Sequence, residues 1–298
     1  MTDSRRVADD VTVVIPTVGR PLLRDCLRSI VDADVVPGEL VVVDQSSSSQ
    51  VATWIAALQR TGVRARHLPS TETGIASATN RGLEQVRTPF VAVTHDDCRV
   101  SPTWLAALLG RLREGREAIV TGRVEPAGEG AVPTIVLATE PTVHTRPRLD
   151  GDDLFPPNMG FPLSLVQRIG YLDEHPSLRS AGEDNDWAYR ALRAGVPIIY
   201  EPTSVVAHVA WQPASALPSI YRRYARGQGA FYGKHLRRGD TFIARRAARD
   251  LARAPWLLLR GTLTRNTELL ALAHGEVTGL VPGLVSGLRN PGRARRTA

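Results

Sequence analysis

Four places in the chain put acids, hydroxyls or imidazoles directly after an apolar run. FVAVTHDD ends on His95, Asp96 and Asp97, VVVDQSS carries Asp44, VTVVIPT leads into Gly19 and Arg20, and IIYEPTSVVAH ends on His208. A carboxylate pair at the end of a buried strand is costly unless a cation neutralises it. Carboxylate beside imidazole suits Mn²⁺ or Mg²⁺, ions that bridge a protein carboxylate to a diphosphate. Taken singly, these groups have plainer readings too. Asp96 and Asp97 fit a solvated turn, and His208 fits a structural histidine. Asp44, with its serines behind it, fits a helix N-cap as well as an acceptor for a base or ribose. GEDNDWAYRALRAG is more specific, because Glu183, Asp184 and Asp186 crowd one helical turn, more acid than the helix dipole accounts for. A carboxylate there, facing a crevice, serves as a general base toward a hydroxyl.

The elements that must hold these groups are legible in the pattern. From Val11 to about Pro126, short β-branched runs alternate with helical segments. Val11–Thr17, Glu39–Gln45, Val63–Leu68 and Phe90–Asp97 read as strands. Pro21–Val31, a stretch through Trp54 and Leu58, Gly74–Val86 and a segment opened by Pro102 read as helices. Strands apolar throughout, separated by helices, imply a mostly parallel α/β sheet covered on both faces. Ligands of such sheets bind beyond the carboxyl ends of the strands, where the polar groups fall. Pro126–Pro157 reads as an irregular connection. A helix near Ser164–Ile169, the Glu183 helix and two strands, Pro197–Tyr200 and Val205–His208, follow it. Pro218–Arg238 and Phe242–Leu259 read as basic helices.

Composition narrows the class. The 298 residues are 43% hydrophobic and 22% charged, which excludes a disordered chain or a fibre. Cys26 and Cys98 are the only cysteines, too few for a disulfide scaffold or a zinc ribbon, and fit a reducing compartment. Met1–Asp10 has no apolar core, so no signal peptide is expected, and no run of about 18 uninterrupted apolar residues predicts a spanning helix. An intracellular, cytoplasmic protein is the expectation. The net charge of +7 is uneven, since Tyr221–Ala298 carries 16 Lys and Arg against 4 Asp and Glu. A basic tail on a mildly acidic body points to an anionic partner. Of all 37 basic residues only Lys234 is a lysine.

Together these motifs, in this order, resemble inverting family 2 glycosyltransferases of GT-A fold, over roughly Val11 to His208. VTVVIPTVGRPLLRDCLRSI is similar to that family's opening strand and nucleotide-side loop, which implies donor contacts from Pro16, Thr17, Gly19 and Arg20. VVVDQSS is similar to its second strand, which implies that Asp44 meets the nucleotide. GIASATNRGLEQV resembles the segment that closes over the donor diphosphate, here Thr79, Asn80 and Arg81. TPFVAVTHDDCRVSPTWL resembles the metal-binding acidic strand end. The resemblance implies Asp97 as metal ligand, Asp96 near ribose or metal, and His95 in place of a first acid. AGEDNDWAYRALRAG resembles the Glu-Asp motif with Asp184 as base beside Glu183, and His208 takes the position that helps hold the metal or diphosphate. The implied chemistry is transfer of a sugar from a nucleotide-sugar donor to an acceptor hydroxyl, assisted by Mn²⁺ or Mg²⁺.

The resemblance divides the chain into an N-terminal tail (1–10), a GT-A domain (11–215, with halves 11–126 and 127–215) and a basic helical region (216–298). Competing readings differ in testable features. A dinucleotide-binding oxidoreductase needs a Gly-x-Gly-x-x-Gly turn where this chain has PTVGRP, and no P-loop is present. A sugar-1-phosphate nucleotidyltransferase would carry a Gly-rich basic loop after strand one. A catalytically silent sugar-nucleotide-binding protein would be consistent with the altered acidic motif, and donor hydrolysis discriminates it. For the tail, arginines interleaved with Phe242, Ile243, Leu251, Trp256, Leu257 and Leu258 suit a helix lying on a membrane surface near a lipid-linked acceptor. The same residues also suit a tail packed back on the domain, walling the pocket of a diffusible small-molecule acceptor. No nucleic-acid reading motif is present.

Overall fold

The computed structural model describes residues 6–130, 135–149, 154–178 and 181–290. The first half alternates as its β-branched runs require. It runs β1 (Arg6–Thr17), α1 (Leu23–Val31), β2 (Val35–Asp44), α2 (Gln50–Gln59), β3 (Ala65–Pro69), α3 (Ile75–Leu83) and β4 (Phe90–Val93). Then come β5 (Cys98–Val100), α4 (Trp104–Leu112), β6 (Ile119–Ala127), β7 (Thr142–His144), β8 (Met159–Pro162), α5 (Ser164–Ile169), α6 (Glu183–Arg193) and β9 (Ile198–Val209). Three helices close the chain: α7 (Leu217–Leu236), α8 (Thr241–Thr264) and α9 (Thr267–Arg289).

One sheet runs in the order β3-β2-β1-β4-β8-β6-β9-β5, with β7 paired to β9. Strands β1 to β4 are parallel, as is β6 with β9. Strand β8 lies antiparallel between β4 and β6, and β5 and β7 pair antiparallel with β9. Apolar side chains pack on both faces. One layer gathers Leu23, Leu27, Val51, Trp104 and Leu108, the other Val14, Val41, Phe161, Trp187 and Leu192.

Several elements depart from the pattern-based boundaries. Residues 6–10 are not a tail, since β1 begins at Arg6 and pairs with Val35; residues 1–5 lie outside the described residues. Strand four stops at Val93, which leaves His95, Asp96 and Asp97 in the turn into β5. The two strands expected between Pro197 and His208 are one, β9, whose register against β6 shifts between Gly122 and Arg123. The connection from Pro126 to Pro157 contains β7, and its residues 131–134 and 150–153 lie outside the described part. Helix α9 falls inside the expected basic helical region (216–298), where the pattern delimits no separate element. It is long and apolar enough to cross a membrane by length and composition.

Two buried polar clusters lock this arrangement. Asn158, just before β8, is fully buried. Its Oδ1 accepts from Trp104 Nε1 (2.9 Å) and Ser204 Oγ (2.9 Å), and its Nδ2 donates to the carbonyls of Arg123 (2.9 Å) and Ser204 (2.8 Å). One amide thus ties α4, β6, β8 and β9 with every valence used, the condition for burying it cheaply. The second cluster joins α6 to α7. Lys234 Nζ lies 2.6 Å from Asp186 Oδ1 and 2.7 Å from Asp173 Oδ2, all three groups buried. Arg190 (2.8 Å) and His235 (2.8 Å) also reach Asp186. Burial works to raise the Asp186 carboxyl, yet the charges of Arg190 and Lys234 and the hydrogen bond with His235 hold it well below the usual carboxylate range.

Helix α9 presents Gly275, Gly279, Gly283 and Gly287 to α7. A Cβ at Gly283 would lie 2.0 Å from the Arg226 carbonyl oxygen, and one at Gly287 2.2 Å from that of Ala230. Only glycine lets these two backbones touch, so α9 is seated on α7 by shape.

Candidate active site

Beyond the carboxyl ends of β1 and β4, a cavity of about 760 Å³ opens between the sheet, the start of α6 and the three C-terminal helices. Among its lining residues are Pro16, Thr17, Arg20, His95, Asp96, Asp97, Glu183, Asp184 and His208. Groups separated by up to about 190 residues in the chain therefore share one space, of a size that takes a large organic ligand.

At the sheet end, Asp96 is held rather than open. Its Oδ2 accepts from Thr17 Oγ1 (2.6 Å) and its Oδ1 from Arg20 Nη1 (2.5 Å). Burial raises its pKa, and Arg20 and Thr17 only partly offset this. Thr17 Oγ1 in turn accepts the Gly19 N–H (2.9 Å), so the post-strand loop is built around one hydroxyl.

Asp97 also lies near Arg20, whose Nη1 is 3.9 Å from its Oδ2. Trp211 Nε1 donates to its Oδ2 at 2.9 Å, and His208 Nε2 lies 3.6 Å from its Oδ1. Burial pushes this carboxyl up, but the hydrogen bond with His208, with Arg20 nearby, pulls it well below the ordinary range. The Arg20 guanidinium stacks on the Trp211 ring, 4.3 Å from its centroid. Trp211 thereby fixes both Arg20 and Asp97. Nothing in the sequence pattern singled it out, because its partners lie far away in the chain.

Asp97, Cys98 and His208 bring three potential ligand atoms within 4.8 Å of one another. The carboxylate and imidazole pair suits a divalent cation, and the Nδ1 of His208 is buried without a partner among the described residues. His95 sits beside them with Nε2 buried and unpartnered, its pKa lowered to about 4, chiefly by burial. A neutral imidazole is the form a metal takes. The thiols of Cys26 and Cys98 are pushed well above their ordinary value, first by burial and then by the neighbouring aspartates, so neither is a ready nucleophile.

Across the cavity, Gly182 caps α6 at φ 87°, where any other L-residue would be strained. A Cβ at Gly182 would fall 2.7 Å from the Gly227 carbonyl carbon, and one at Gly227 2.0 Å from the Ala181 carbonyl oxygen. Helix α7 therefore presses directly on the turn that presents Glu183 and Asp184. Asn185 Nδ2 donates to Gln228 Oε1 (2.7 Å), a second tie between the two. Glu183 is buried with Oε2 unpartnered among the described residues, and burial, reinforced by Asp184 and Asp186, raises its pKa well above normal. Asp184 is partly exposed and lines the cavity.

The remaining expected contacts lie elsewhere. Asp44 is closed off, because its Oδ1 accepts the Ser46 N–H (2.8 Å) and its Oδ2 meets His67 Nε2 (2.9 Å). It shapes the post-β2 turn and does not line the cavity. Nor do Thr79, Asn80 and Arg81. Thr79 is buried in α3, and Arg81 faces solvent. Asn80 clamps the chain before α6, donating to the Leu172 carbonyl (2.9 Å) and Glu174 Oε1 (2.7 Å) and accepting from Leu172 N (3.0 Å). Gly74 and Ile75, at the start of the same helix, do reach the cavity. Gly19 is behind its rim, where a Cβ would lie 2.7 Å from Ser46.

The far wall comes from the basic region. Tyr221, Arg223, Gln228, Arg246, Arg249 and Arg253 line it.

Residues 12–163 match the family described as Glycosyl transferase family 2. A Pre-mycofactocin glycosyltransferase of Mycobacterium tuberculosis is 29% identical over 214 residues, covering 67% of this chain and 42% of that protein. The chain thus spans well under half the length of the curated relative it matches. A mannosyltransferase from Pyrobaculum calidifontis, solved with GDP-Man and Mn²⁺, superposes with a TM-score of 0.60 at 19% identity, over 91% of this chain and 87% of that one. Staphylococcus aureus TarS, residues 1–349, gives a TM-score of 0.54 at 16% identity over 90% of each chain. These likenesses establish the GT-A fold, with a C-terminal helical extension.

Proposed function

The chain belongs to glycosyltransferase family 2, and we propose that it moves a sugar from a nucleotide-sugar donor to an acceptor hydroxyl by a single inverting displacement with Asp184 as base. The observation that carries this reading is the shared cavity. It has an acidic, imidazole-bearing sheet end on one side and a carboxylate at a helix start on the other. The P. calidifontis and S. aureus neighbours, solved with GDP-Man and with UDP-GlcNAc, support a nucleotide-sugar donor.

The donor's nucleotide enters by the loop after β1, past Pro16 and Thr17. Asp97 and His208 are the residues that would hold a divalent cation, Mn²⁺ or Mg²⁺, with His95 beside them. Such a cation would neutralise the departing diphosphate. Arg20, clamped by Asp96 and Trp211, supplies fixed positive charge to the same region without reorganising. Asp184 takes the proton of the acceptor hydroxyl while that oxygen forms its bond to the anomeric carbon. The bond from that carbon to the diphosphate oxygen breaks, and its electron pair leaves with the nucleoside diphosphate. No enzyme nucleophile intervenes, so the configuration inverts. Burial, reinforced by Asp184 and Asp186, favours the neutral form of Glu183, so Asp184 and not Glu183 is the base in this reading. The acceptor, a lipid-linked glycan or a small molecule, enters along the wall of α7 and α8.

Asp184→Asn tests the assignment. It should bind the donor normally and lose transfer about 10²-fold or more, the scale of a lost general base. Near-normal turnover refutes Asp184 as base, and an unchanged anomeric configuration in the product refutes inversion.

A further inference from the structure

Sixteen large apolar side chains are exposed among the described residues, and nine of them fall on α8 and α9. On α9, Val277 (57% exposed), Val281 (50%), Val285 and Leu288 recur at helical spacing on the side away from the glycines that meet α7. On α8, Leu251, Trp256 (52%), Leu258, Leu259 (60%) and Leu263 (75%) do the same. Such concentration is beyond what scattered surface apolarity explains. Arginine flanks it: Arg245 and Arg260 are exposed on α8, and the Arg260 guanidinium sits 5.1 Å from the Trp256 ring centroid.

We infer that the outer face of the α8–α9 hairpin docks on the surface of an anionic lipid bilayer. Charge complementarity selects this occupant, since Thr241–Arg289 carries seven arginines against three acidic residues. An apolar stripe flanked by arginine and bearing a tryptophan is the pattern of a helix lying in the membrane interface. Helix α9 has the length and hydropathy of a spanning segment. Its backbone contact with α7, and the Arg253–Glu276 ion pair that ties it to α8, keep it in the folded body instead. The hairpin therefore lies on the bilayer rather than crossing it. This docking is independent of the sugar-transfer reading, because vesicle binding is measured without donor or acceptor.

The test is co-sedimentation of the full chain with phosphatidylglycerol/phosphatidylcholine vesicles at low and high salt, and with phosphatidylcholine alone. The variant Trp256→Glu/Leu259→Glu/Leu263→Glu changes only exposed positions, and its circular dichroism verifies that it is folded. Wild type should pellet with the anionic vesicles at low salt, and the variant should bind about tenfold or more weakly. Brominated lipid should quench a fluorescence component that Trp256→Phe removes. Wild type that stays in the supernatant overturns the proposal, as does a variant that binds undiminished. A wild-type dimer that the triple variant dissociates, with no vesicle binding, assigns the face to a second copy and overturns it too.

Discussion

Lys234 offers a sharp test of how the basic helices are joined to the catalytic domain. It is 2% exposed and pairs with two fully buried carboxylates. Lys234→Met keeps the length of the side chain and removes its charge. Asp186 would keep Arg190 and His235, but Asp173 would lose its only short cationic partner among the described residues and keep the backbone N–H of His175. Deleting one member of a buried ion pair costs about 3–5 kcal/mol, because the partner charge is stranded. Arg190 and His235 place the expected loss near the low end, about 3 kcal/mol, or about 5–10 °C in melting temperature for a chain of this size. Because Lys234 is the only lysine, an amine-acylating reagent read by mass spectrometry has one internal target. In the native wild type that target should stay unmodified while the N-terminal amine reacts, and its slow labelling should track opening of α7 from α6. Asp173→Asn combined with Lys234→Met should recover part of the loss, since the stranded charge is gone. A Lys234→Met protein that melts with wild type, or a Lys234 that labels as fast as a free amine, refutes the reasoning.

Three further outcomes follow from the same geometry. The Asp186 carboxyl is held below its unfolded value, so its stabilisation is complete above the unfolded aspartate pKa near about 4 and is lost as pH falls through the folded value. Removing Lys234 raises that folded value, so acid unfolding of Lys234→Met should narrow its gap to wild type as pH drops, read by circular dichroism. Gly227→Ala puts a methyl group against the Ala181 carbonyl and should displace the turn carrying Asp184, lowering kcat about tenfold or more with donor binding retained; unchanged kcat would show that α7 does not position the base. Chelation with EDTA should abolish transfer and Mn²⁺ or Mg²⁺ restore it, with Asp97→Ala weakening donor binding most; chelator-resistant transfer after dialysis would mean that His95, His208 and Asp97 work without a cation.

Which parts were legible follows from where each signal resides. Strands β1, β2 and β4 are buried on both faces, so their β-branched runs announce themselves, and the groups that follow them mark the sheet end of the cavity. Strand β8 is only Met159–Pro162 and has no such run. Its place between β4 and β6 is set by Asn158, whose side chain makes four hydrogen bonds to Trp104, Arg123 and Ser204. The same division runs through the site. His95, Asp97, Asp184 and His208 stand at element ends and were readable one at a time. Trp211 was not, because its function is to bridge Arg20 and Asp97.

The departures have one physical origin. A buried polar residue at a strand end or in a helix start must be satisfied, and sequence does not say whether a ligand or the protein satisfies it. Asp44 is satisfied by Ser46 and His67, and Asn80 by the chain before α6, so neither reaches the cavity although both sit in the right motif. Among the described residues Glu183 Oε2 and His208 Nδ1 have no hydrogen-bond partner, and both belong to cavity-lining residues. Helix α9 shows the converse. Its glycines at every fourth position lower intrinsic helix propensity, so local preference argues against a helix there, and only contact with the α7 backbone makes those glycines necessary. Its pattern becomes intelligible once its neighbour is known. The same contact leaves the valines of its other face exposed among the described residues, which is why the membrane test bears on that face.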